Sequence, residues 1–123
     1  MKKILFIVLT LSIFCLPAIS HGEETQGMLP GTDIAYTEFS VSKSGVAVRF
    51  INTYYVDTKF SAKVVFYDQG GNTLGHSIFA LRTLPAEGWV DLANNHISGD
   101  WKKCKRAARV EWQTLTHEIL YDS

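Results

Sequence analysis

The chain is poor in the residues that cross-link or kink a backbone, with only two cysteines and three prolines in 123 residues, and it has no excess of either charge, with twelve basic residues against twelve acidic ones. Two cysteines allow one disulfide at most, so a disulfide framework is excluded as the source of stability. Balanced charge excludes the broad basic field on which nucleic-acid binding depends. The sequence also lacks G-x-S-x-G, H-E-x-x-H and any cysteine-plus-histidine signature, so hydrolytic chemistry has no motif to stand on and a non-enzyme is expected. No repeat or low-complexity tract occurs.

What is present begins with an export signal. Lys2 and Lys3 precede a mainly apolar run from Ile4 to Leu16, followed by Pro17 and small residues ending in Ala18-Ile19-Ser20. The run is shorter than the ~20 residues of a membrane-spanning helix, which favours cleavage after Ser20 over an uncleaved anchor. Cleavage after Gly22 is an alternative. Lipidation at Cys15 is another, disfavoured by the bulky Phe14 before it. Removing residues 1–20 leaves 103 residues, enough for one domain with one modest core. Loss of Lys2 and Lys3 leaves ten basic residues against twelve acidic ones, and Cys104 as the lone cysteine. A periplasmic or secreted destination follows from the signal.

Period-two alternation dominates the rest. Phe60, Ala62, Val64 and Phe66 alternate with Ser61, Lys63, Val65 and Tyr67, and Asp68-Gln69-Gly70-Gly71-Asn72 has the chemistry of a tight reversal, so this stretch reads as a β-hairpin. Thr37, Phe39 and Val41, the turn Ser42-Lys43-Ser44-Gly45, and Val46, Val48 and Phe50 read as another. Residues 77–82 carry apolar residues on both faces, as a strand covered on both sides would. Residues 89–92 read as a short strand, 93–99 as loop, and 107–115 as the last strand. Ser98 or Asp100 is placed to cap a two-turn helix near residues 100–106, with Trp101, Cys104 and Ala108 as its inward stripe. Residues 21–31 read as a flexible arm, 32–116 as the domain and 117–123 as a tail. The expected fold is all-β, a single antiparallel sandwich of immunoglobulin-like type with one short helix.

Val64-Val65-Phe66-Tyr67-Asp68 followed by Gly70-Gly71-Asn72, with Arg49-Phe50-Ile51-Asn52 upstream and Leu84-Pro85-Ala86-Glu87-Gly88 downstream, resembles bacterial exported immunoglobulin-like domains of the FxLYD kind. The likeness covers about half of the expected mature chain; Val64 stands for the family's first Phe and Phe66 for its Leu. It implies a fold and no shared catalytic residues.

Two clusters carry the chemistry. Lys102, Lys103, Lys105, Arg106 and Arg109, flanked by Trp101 and Trp112, form a basic patch suited to anionic lipid, polysaccharide or an acidic partner; the plainer reading is a solvated helix face. Cleavage after Ser20 would make His21 the first residue, with an amine and an imidazole able to chelate copper, and His76, His96 and His117 are candidate further ligands. Asp91, His96 and Asp100 lie along one stretch that also has metal-ligand types. The functional expectation is an exported, non-enzymatic binding or accessory module for an envelope protein or extracellular ligand, requiring no cofactor. The alternatives are a periplasmic copper-binding protein and a small inhibitor or immunity protein.

Overall fold

The computed structural model describes residues 25–121; the export signal, Cys15 and His21 lie outside the described residues. Among the described residues eight strands and one helix follow in the order β1 (Gly27–Met28), β2 (Ile34–Ser42), β3 (Gly45–Asn52), β4 (Thr58–Tyr67), β5 (Thr73–Leu84), β6 (Trp89–Asn95), β7 (Ser98–Gly99), α1 (Trp101–Lys105) and β8 (Arg109–Ile119). They form two antiparallel four-stranded sheets, β1-β2-β3-β6 and β7-β5-β4-β8. The sheets share one core, so the fold is the all-β sandwich expected from the alternation.

The two hairpins form where the turn chemistry placed them. Asp68 makes the β4–β5 reversal rigid: its carboxylate accepts hydrogen bonds from the backbone N–H of Gly70 and Asn72 and from the Asn72 amide, and its own N–H donates to the Asn72 carbonyl. Gly71 takes the left-handed conformation, φ 84°, that the turn requires. Inward residues of β4 are Phe60, Ala62, Val64 and Phe66, all fully buried. Facing them are Tyr36, Phe39 and Phe50 from the first sheet, with Phe79 and Trp112 from β5 and β8. Phe50 makes edge-to-face contacts with Phe60, Phe79 and Trp112 at centroid distances of 5.2, 5.3 and 5.8 Å. These aromatic rings are the largest apolar surfaces the domain removes from water.

Several boundaries differ from the sequence reading. The ordered region begins before Thr32, because Gly27 and Met28 pair with Tyr36 and Ala35 and Leu29 is fully buried. The fifth long strand runs on to Asn95, and Ser98 and Gly99 pair with His76 and Gly75, so the stretch read as loop is mostly sheet edge. Edge pairing needs backbone groups but no apolar alternation, which is why composition hid it. For the same reason β8 continues past Thr116 to Ile119, its last turn of sequence pairing with Thr58 to Ser61. Strand β5 is covered on one face only: Phe79 is buried, whereas Ile78 and Leu81 are 52% and 56% exposed. Helix α1 ends at Lys105, and Ala107, not Ala108, supplies the inward methyl beyond it.

Candidate binding surface at the helical end

Helix α1 closes one end of the sandwich. Its N-cap is Asp100, whose carboxylate accepts from the Lys102 N–H at 2.9 Å. Cys104 faces inward and is buried in a seat that only glycine permits: a Cβ at Gly75 would lie 2.8 Å from the Cys104 sulfur and 2.6 Å from the Ser98 carbonyl oxygen. Burial pushes the Cys104 thiol pKa up, and the Asp100 carboxylate adds to the shift. Trp101 is half-buried against the core.

With Cys104 turned in, the helix must turn its cations out. Lys102, Lys103, Lys105, Arg106 and Arg109 are all exposed. They are not equivalent. The Lys105 ammonium donates to the Val41 carbonyl at 3.2 Å, tying α1 to β2. The Arg109 guanidinium lies 4.1 Å above the Tyr67 ring and 4.0 Å from the Glu111 carboxylate. Glu111 also accepts from the Tyr67 hydroxyl at 2.9 Å, a bond that raises the phenol pKa. The side chains of Lys102, Lys103 and Arg106 have no hydrogen-bond or ion-pair partner among the described residues. Two clefts flank the link from α1 to β8. One, of about 470 Å³, is lined by Asp68, Gln69, Gly70, Leu74, Arg106 and Ala108; the other, of about 240 Å³, has apolar walls from Phe39, Val41, Phe66 and Val110 with Lys105 beside them.

Trp112 is not part of this surface. It is buried in the core, 4.7 Å from Tyr36 and 5.4 Å from Phe39 by ring centroids. The histidines are spread over the fold: His76 on β5, His96 between β6 and β7, and His117 on the outer strand β8. Among the described residues no group of three His, Cys, Asp or Glu side chains is gathered to hold a metal. Asp91 and Asp100 serve elsewhere, Asp91 paired with Arg49 and Asp100 as the helix cap. Ser77, beside His76 in sequence, is also structural. Ser77 donates to the His96 main-chain carbonyl at 2.6 Å and accepts from the Asn95 amide at 2.7 Å. Comparison with family models, curated proteins and solved structures finds no match to this chain.

Sequence reasoning missed a second cluster, Arg49 with Asp91 and Trp89. Arg49 donates to both Asp91 carboxylate oxygens, at 2.7 and 3.0 Å, and its guanidinium lies 4.3 Å over the Trp89 ring. The hydrogen bond raises the Arg49 pKa and lowers that of Asp91. Residues forty positions apart leave no local signal. The only trace was Arg49 standing opposite buried Val48 and Phe50 in an alternating run.

Proposed function

We propose that this chain is an exported, non-enzymatic binding module of the bacterial envelope, an immunoglobulin-like sandwich that holds a polyanion at its helical end. The observation that carries the reading is the exposed set Lys102, Lys103 and Arg106, which makes no ion pair among the described residues and sits on and just after a helix anchored by Cys104 and the Lys105 bond to Val41. A rigid mount matters, because a backbone already held in place loses little freedom when a ligand arrives. Neighbouring carboxylates are otherwise engaged: Asp68 in its turn, Asp100 in the cap, Glu111 with Tyr67 and Arg109. Export is supported by the tripartite N-terminal sequence, and N-terminal sequencing of the processed protein checks the expected cleavage after Ser20.

The binding test uses heparin as the polyanion. The mature protein is expected to be retained at low salt and released as salt rises. A Lys102→Glu/Lys103→Glu/Arg106→Glu variant with an unchanged circular dichroism spectrum should flow through. Equal retention of both proteins would end this reading.

A further inference from the structure

The registers of the first sheet place four apolar residues in one transverse row on its outer face. Met28 pairs with Ala35, Ala35 with Ile51, and Ile51 with Trp89. The row crosses all four strands, a length of roughly 14 Å from three inter-strand spacings. Its ends are open, Met28 being 50% and Trp89 57% exposed, and Ala35 and Ile51 between them are half-buried. Trp89 is also held in place. The guanidinium resting on it is fixed by both oxygens of Asp91, and Glu38 approaches the same guanidinium at 3.6 Å. An aromatic side chain whose orientation is set before contact is the kind of anchor that carries binding energy.

Four acidic residues stand around the row. On one side stand Glu38 and Asp91; on the other are Asp33, two positions before Ala35, and Glu87, in the turn before Trp89. All four are exposed, and the single cation among them, Arg49, is already paired. An apolar centre with an acidic rim excludes an acidic partner by repulsion and favours a basic one. We infer that the outer face of the β1-β2-β3-β6 sheet is a second docking surface, for a protein segment that presents apolar side chains between lysines or arginines. It is independent of the helical end, which carries the opposite charge.

The probe is the peptide acetyl-Lys-Leu-Lys-Gly-Lys-Leu-Lys-amide, with a control in which every Lys is Glu, titrated into the ¹⁵N-labelled mature protein. The Lys peptide is expected to shift the amide resonances of Ala35 and Ile51 and the Trp89 indole N–H, and the Glu peptide to leave them in place. Trp89→Ala and, separately, Asp33→Lys/Glu87→Lys should each weaken binding by roughly tenfold, the scale of one lost anchor or rim contact. The Lys102→Glu/Lys103→Glu/Arg106→Glu variant should bind the Lys peptide as the parent does, so failure here and failure of the polyanion reading are separate results. Equal binding of the two peptides, shifts confined to α1, or row resonances that move with protein concentration alone, which would mean a second copy on this face, would each overturn the inference.

Discussion

Asn52 joins more of this fold than its size suggests. It is fully buried at the end of β3, and its amide donates to the carbonyls of Val56, Leu84 and Pro85 while its oxygen accepts from the Tyr54 N–H. One side chain therefore holds the β3–β4 connection against the end of β5. Asn52→Ala would leave those backbone groups short of partners, the Leu84 carbonyl in a buried site, and a loss of about 1–3 kcal/mol is expected, read as a shift in the urea midpoint. Asn52→Asp should not restore it, since a carboxylate cannot donate to three carbonyls. The sequence presents Asn52 as an ordinary turn former beside Thr53, because two of its partners lie 32 and 33 positions away. Trp112 was likewise read as a flank of the basic patch. Its alternation with Val110 marks the inward face of β8; its indole N–H is buried without a partner among the described residues.

At the scale of elements, what could be read from the chain was what local chemistry alone determines. The β4–β5 hairpin was legible because Phe60 to Phe66 alternate and Asp68 to Asn72 can close a turn without help. Strands β7 and the far half of β8 were not, since their place depends on a neighbour's free backbone groups and not on their own side chains. The Asp68 turn also sets a pH dependence. Hydrogen bonds to its carboxylate, those from Asn72 first, hold the Asp68 pKa below its ordinary value, and Arg49 does the same for Asp91. A carboxylate with a depressed folded pKa stabilises the fold fully above its unfolded value, about 3.9, and that stabilisation fades as pH falls toward the folded value. The melting temperature should therefore drop as pH is lowered from 5 to about 2, the range in which these depressed carboxylates take up protons. Asp68→Asn should lower the melting temperature at pH 7 and flatten the acid limb; an unchanged limb would assign the acid loss to other groups.

Cys104 is free, so among the described residues no disulfide joins the two layers. The layers meet through aromatic rings, with Thr114 on β8 donating to the Pro30 carbonyl at 2.6 Å as one of the bonds that span them. Sandwich architecture was legible from strand count and turn spacing; which faces remained uncovered was not, because that follows from how sheets stack. Cys104 provides a reporter of global integrity. Buried, with its pKa raised and its seat closed by Gly75, it should react with a disulfide reagent such as DTNB only through unfolded molecules, so labelling should track the urea transition. Fast labelling of the native protein would show that α1 opens by itself.

The helical end and the Met28–Trp89 row are separated along β2 by the span from Ala35 to Val41, roughly 20 Å at about 3.3 Å per residue. Lys102, Lys103 and Arg106 at the first, set against Asp33 and Glu87 beside the second, separate charge across the domain and so contribute a dipole moment. Near a polyanionic surface that moment exerts a torque before any contact forms, turning α1 forward and leaving the Trp89 end trailing in solution. Collisions are thus sorted by attitude as well as by distance, and the frequency of productive ones falls with added electrolyte even where the bound state is little changed.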